Sequence, residues 1–232
     1  MPVATLRNAR RAALVALLAA AAVPATASAK IYELGVTSEV PKPSCPAKPC
    51  LAVSRTTGYQ VKVGTTKDMF IVPRHGRIVA WTALTGDPTA KQINFFDSTL
   101  GGEPSAGITV FKPEKHLYGT ILAKSPIEKL TDYMGRRVQF PLETSIEVKK
   151  GQRVALTVPT WAPMLAVGYG NDTSWRASRN KDQCDDTSTQ TAQTTVGAQT
   201  RFLCLYQTAR LTYSVTMITE PRPHKKKKTT KP

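Results

Sequence analysis

Residues Ser145–Pro159 constrain the fold more than any other stretch of this chain. Ile146 and Val148 alternate with polar residues up to Lys149, Lys150 and Gly151. Val154, Leu156 and Val158 resume the alternation beyond. A side chain that points inward at every second position marks a strand with one buried face. Glycine in the turn supplies a positive φ that other residues avoid. The stretch reads as strand, basic turn, strand, and hence as a hairpin. Gly76–Thr82 repeats the pattern of Gly151–Thr157. A second hairpin is therefore expected, with Met69–Val72 and Arg77–Leu84 joined across the turn Pro73–Gly76.

The same rhythm runs along most of the chain. Tyr59, Val61 and Val63 share a face. Ile108–Phe111 and Leu117–Ala123 read as a further hairpin across Lys112–His116, and Val138–Leu142 and Arg201–Tyr206 as strands. Leu211, Tyr213, Val215 and Met217 alternate with small polar residues to the end of the folded part. Nine or ten short strands with turn signals between them predict an all-β fold. We read a two-sheet antiparallel β-sandwich, jelly-roll-like, with little helix. Thr85–Gly107 reads as a loop-rich stretch holding the apolar segment Ile93–Phe96. One short helix is expected after the capping sequence Ser125-Pro126-Ile127-Glu128, with Ile127, Leu130 and Met134 on one face and Gly135 at its end.

The two ends differ from this middle. Arg7, Arg10 and Arg11, the apolar run Ala12–Val23 and the small residues Ala27-Ser28-Ala29 form an export-signal pattern over residues 1–29. The apolar run is shorter than the ~20 residues a spanning helix needs, so no transmembrane segment is expected in the mature chain. Its removal leaves about 200 residues, enough for one well-formed core. Residues 30–58 contain Pro41, Pro43, Pro46 and Pro49 and read as an extended N-terminal arm, residues 59–220 as the sandwich, and residues 221–232 as a basic, disordered tail.

Four cysteines, Cys45, Cys50, Cys184 and Cys204, all follow the signal. An even count in an exported chain argues for disulfides, and the spacing is poor for zinc. Three connectivities exist, and local pairing favours Cys45–Cys50 with Cys184–Cys204. The whole chain carries a net charge of +16. Residues 30–220 hold 23 basic and 16 acidic side chains, and the tail adds Arg222, Lys225, Lys226, Lys227, Lys228 and Lys231. Such a balance suits an anionic partner. Outside a bacterial cell that means a cell-wall polymer, lipid headgroups or an acidic polysaccharide, and no nucleic acid is expected.

Ile71–Val79 and Ile146–Leu156 resemble the jelly-roll sandwiches of secreted carbohydrate-binding modules. Val158–Pro163 and Trp175–Ser178 are similar to stretches of exported bacterial β-sandwich proteins. The resemblance covers most of Tyr59–Ile218 and implies the fold. Its motifs are structural turns, which carry no activity with them.

Catalytic chemistry finds little support. Gly102–Gly107 around Ser105 has the wrong spacing for a nucleophile elbow. His75 and His116 sit in turns and His224 in the tail. Gln92-Ile93-Asn94 has Asn where jelly-roll polysaccharide lyases have His. Asp182, Asp185 and Asp186 read as a solvated loop beside Cys184, and no metal or cofactor is expected. Trp161, Trp175 and Tyr169 are the candidate platforms for a sugar ring, and Lys225–Lys228 the candidate tether to an anionic polymer. The expected role is non-catalytic: binding or structural work at the cell envelope. A polysaccharide-active enzyme and a protein-interaction module are the alternatives.

Overall fold

A computed structural model describes residues 29–179, 182–186 and 190–220. All but the last residue of the expected export signal over residues 1–29, and the tail with Lys225, Lys226, Lys227 and Lys228, lie outside the described residues. The strands in chain order are β1 (Ile31–Leu34), β2 (Val53–Val63), β3 (Thr66–Lys67), β4 (Gly76–Leu84), β5 (Ser105–Pro113), β6 (Tyr118–Lys124), β7 (Glu128–Lys129) and β8 (Arg137–Val148). They continue as β9 (Arg153–Ala162), β10 (Leu165–Val167), β11 (Ser174–Ala177), β12 (Gln199–Arg201), β13 (Cys204–Gln207), β14 (Ala209–Leu211) and β15 (Tyr213–Thr219). One helix, α1 (Ala90–Leu100), lies between β4 and β5.

Two antiparallel sheets face each other. The smaller has the order β1-β15-β4-β8, and the larger contains β12-β6-β5-β9-β2-β11-β13 with β3 and β7 attached. Eight of these strands make a jelly roll. When β1, β2, β4, β5, β6, β8, β9 and β15 are counted from one to eight, the small sheet reads 1-8-3-6 and the core of the large sheet 5-4-7-2. In that wrap most connections carry the chain from one sheet to the other.

This topology corrects two of the expected hairpins. β8 pairs with β4, while β9 pairs with β2 and β5, so Lys149–Gln152 is a corner between the sheets. The strand-turn-strand reading of Ser145–Pro159 holds, but the two strands do not pair. The corner is closed locally by Gln152 N–H to Lys149 O (3.1 Å) and Lys149 N–H to Gln152 Oε1 (2.8 Å). Gly151 adopts φ +89° there. The chain before β4 docks against it, with Val72 N–H donating to Gln152 O and Gly151 N–H to Val72 O. Met69–Val72 is thus a crossing segment, and β4 takes its partners from β8 and β15. The hairpin expected across Lys112–His116 is present as β5–β6.

Between the sheets lie Ile78, Trp81, Val148, Val154, Leu156, Val158, Val215 and Met217. Trp81 stacks on Phe140 at 4.8 Å and Phe70 on Tyr213 at 4.1 Å. Burying each such large side chain contributes about 1.5–3 kcal/mol. Leu211 at the end of β14 and Tyr213, Val215 and Met217 along β15 all lie in this core, as the sequence pattern requires.

The outer face of the large sheet is also covered. Tyr59, Phe111, Ile121, Ala155 and Phe202 form one outer cluster. Beside it the buried hydroxyls of Thr57, Thr157 and Thr109 bond across three strands at 3.2 and 2.6 Å. Helix α1 replaces the loop expected over Ile93–Phe96. Thr89 caps it, its side chain accepting from Gln92 N–H while Gln92 answers on the Thr89 N–H, and Gly101 closes it with φ 97°. Those end signals license a helix whose Phe96 and Leu100, four residues apart, bury against Trp161.

The helix expected after Ser125 is absent. Ser125 Oγ accepts from Ile108 N–H and donates to Pro126 O, so the side chain serves β5 instead of a helix start. Glu128 and Lys129 pair with β5, and Thr131–Tyr133 is a single 3-10 turn. The stretch before residue 59 enters the sheets at both ends. β1 is the edge of the small sheet, and the boundary expected at residue 59 falls inside β2.

Candidate functional site

Both disulfides join the pairs favoured by local spacing, Cys45–Cys50 and Cys184–Cys204. The first ties down the loop that packs with α1 against Trp161, and the second anchors the segment after β11 to β13. Disulfides of this kind suit an oxidising compartment. No helix among the described residues is long and apolar enough to cross a membrane.

The expected tryptophan platforms are buried. Trp161 is 0% exposed, with Phe96 at 4.8 Å and its Nε1–H donating to Asp97 Oδ1 (2.8 Å) and Gly102 O (3.0 Å). Helix α1, missed in the sequence, covers the face that would otherwise meet solvent. Trp175 is 4% exposed, because β11 turns it into the core between the sheets, where it stacks on Tyr206 at 4.5 Å. Neither ring offers a free face to a sugar. Tyr169 is half-buried and bonded to Arg210, and burial raises its phenol above the ordinary value. Among the described residues, no three His, Cys, Asp or Glu side chains form a group that could hold a metal.

What the structure does assemble is charge. At one end of the sandwich the strands meet in the β5–β6 hairpin tip, the 64–75 connection and the 149–152 corner. Strand register fixes this grouping. Gly76 of β4 lies between Thr219 of β15 and Val148 of β8, which leads directly into Lys149 and Lys150. Lys62 and Lys67 face each other across β2–β3. Arg153 pairs with Phe111, next to Lys112, and Arg201 pairs with Tyr118 near Lys115. Lys30 closes the ring, its carbonyl accepting from Thr219 N–H at 2.9 Å.

Together with Arg74, this end carries ten cationic side chains. Asp68, Glu114, Glu147, Asp172 and Glu220 are the carboxylates beside them. Among the described residues only Arg153 of the ten is in an ion pair, with Asp68 at 2.7 Å. Glu114 is held below the usual carboxylate range, chiefly by its hydrogen bond from Thr120 and then by that from Gln199. Lys30, Lys67, Lys112, Lys115, Lys149, Lys150 and Arg201 are exposed. The loops of the opposite end, residues 35–52, 85–104 and 125–136, hold five cations against six carboxylates. The sandwich is therefore electrically polar along its strands.

Both ends of the described chain lie at the basic end. Glu220 N–H donates to His75 O at 3.1 Å, and Lys30 N–H donates to Thr219 Oγ1 at 3.1 Å. The last described residue, Glu220, thus sits beside the basic loops, and Lys225–Lys228 follow it in the sequence. The sequence alone does not reveal this pole, because its members come from five separated stretches, around 30, 62–74, 112–115, 149–153 and 201, that only the jelly-roll wrap unites. No protein-family model matches the chain, and none of the curated proteins or solved structures compared with it does either.

Proposed function

We propose that this is an exported, non-catalytic binding domain of the cell envelope that holds an anionic polymer against the basic end of its sandwich. One observation carries the reading: ten cationic side chains gather at one end of the sandwich, nine of them without an ion pair among the described residues, and the last described residue, Glu220, which Lys225–Lys228 follow in the sequence, lies at that end. Unneutralised cations gathered on one surface raise the local potential and draw in a polyanion. Each basic residue near an anionic surface contributes up to about 1 kcal/mol. Two disulfides and the export-signal pattern support a site of action outside the cytoplasm.

The test is binding of the mature chain to wall teichoic acid and to polygalacturonate at about 0.02 M and about 0.3 M salt. Binding at low salt that collapses at high salt is expected for both polymers. Absence of binding at low salt to either one contradicts the reading.

A further inference from the structure

A cleft of about 50 Å³ lies at the end of the sandwich away from the basic pole. The segment 35–41, which follows β1, forms one wall. Thr82 of β4 and Ser214 of β15, cross-strand partners on the solvent side of the small sheet, form the floor. Arg210 enters from β14 and Arg137 from β8.

Arg210 is 3% exposed. Its guanidinium donates to the carbonyls of Glu39 (3.2 Å) and Gly35 (3.3 Å) and bonds to Tyr169. Among the described residues it has no ion pair. The two carbonyls engage only some of its five N–H groups and do not neutralise its charge, and a buried cation whose charge is only partly offset, here by the Glu39 carboxylate, is costly. Arg137 is exposed at the mouth, and its side chain bonds to no other described residue. The carboxylate of Glu39 shares the cleft, so two guanidiniums face one acid and the site keeps a positive charge. Val36 and Val40 stand 50% and 65% exposed along the wall, apolar surface that a carbon skeleton would cover.

We propose that this cleft binds a carboxylate carried on a small hydroxylated skeleton, a sugar acid, with the carboxylate between Arg210 and Arg137 and a ligand hydroxyl on Thr82 and Ser214. Arginine favours carboxylates through paired, charge-assisted hydrogen bonds. The volume seats the carboxylate and its neighbouring carbons, and the rest of the ligand lies at the mouth against Val36 and Val40. The site is separate from the basic end and stands whether or not that end binds a polymer.

The experiment is titration of the mature chain with D-galacturonate, D-gluconate and neutral D-galactose, followed by backbone amide shifts. At least one acid is expected to move the amides of Gly35, Glu39, Thr82 and Ser214, while galactose leaves them in place. Binding of galacturonate alone assigns the site to a ring acid of a polymer, and binding of gluconate alone to a free open-chain acid. Arg137→Gln, an exposed change on an edge strand, should weaken binding about tenfold without altering thermal unfolding. Glu39→Gln should tighten it, and the Lys149→Ala/Lys150→Ala double variant should leave it unchanged. The proposal is overturned if neither acid moves these amides, if galactose moves them equally, or if Arg137→Gln binds as the parent chain does.

Discussion

The backbone N–H of Glu220 donates to the carbonyl of His75, and this bond holds the last described residue at the basic end of the sandwich. His75 ends the connection that carries Lys67 and Arg74, so the last described residue and the cationic loops share one end. If the proposed polyanion binds there, removing residues 221–232 and removing Lys149 and Lys150 should each weaken it.

Trp161 is a structural residue in this arrangement. Trp161→Ala should destabilise the domain by about 3–5 kcal/mol, the usual cost of removing a buried aromatic ring. Trp161→Phe should cost less, since it keeps contact with Phe96 and loses only the bonds to Asp97 and Gly102. Chemical denaturation measures both. Wild-type stability in Trp161→Ala would mean that helix α1 does not cover the ring.

The two disulfides should differ in weight. Cys184–Cys204 spans a sequence separation of 20 and Cys45–Cys50 one of 5. On the chain-entropy model the longer loop is worth about 3 kcal/mol and the shorter about 2. Paired Cys→Ala variants, unfolded in urea, should show the larger loss for Cys184→Ala/Cys204→Ala.

Tyr213 links the core to pH. Burial drives its phenol well above the ordinary value, and burial also raises Tyr206 and Tyr169. With the folded values raised, the unfolded chain releases phenolic protons first as pH passes about 10. Stability contributed by these groups is therefore whole below that pH and is lost above it. Tyr213→Phe should cost about 1 kcal/mol at neutral pH, for the lost bond to Val154 O, and should flatten the alkaline decline. Equal alkaline declines in both chains would contradict this assignment.

At Gly76 the backbone of β15 comes close to β4. A Cβ there would lie 2.2 Å from Ile218 O, a backbone atom of the paired strand. Gly76→Ala should destabilise by about 1–3 kcal/mol, the range for forced overpacking. It should also loosen the root of the tail, seen as faster amide exchange at Ile218 and Glu220.

Strand positions and core faces were legible because burial on one face imposes period two on the sequence. Leu211, Tyr213, Val215 and Met217 show this plainly. Which strand pairs with which was not legible. Ile146–Val148 and Val154–Val158 alternate in the same way whether the corner between them stays in one sheet or crosses to the other. Helix α1 had a readable signature, Thr89 with Gln92 at its start, Gly101 at its end, and Phe96 and Leu100 one turn apart. The loop reading gave too much weight to the glycine and proline flanks. Trp161 was misread for the same reason, since its cover is that helix. The basic end escaped notice because Lys30, Lys67, Lys112 and Lys150 are neighbours only in the folded chain.

The decisive measurement is the affinity for wall teichoic acid at low salt of three chains: the parent, one ending at Glu220, and one that combines this truncation with Lys149→Ala and Lys150→Ala. Binding at the basic end predicts stepwise loss, with about fivefold weaker binding for each lysine removed from the corner. Equal affinity of all three chains would contradict it.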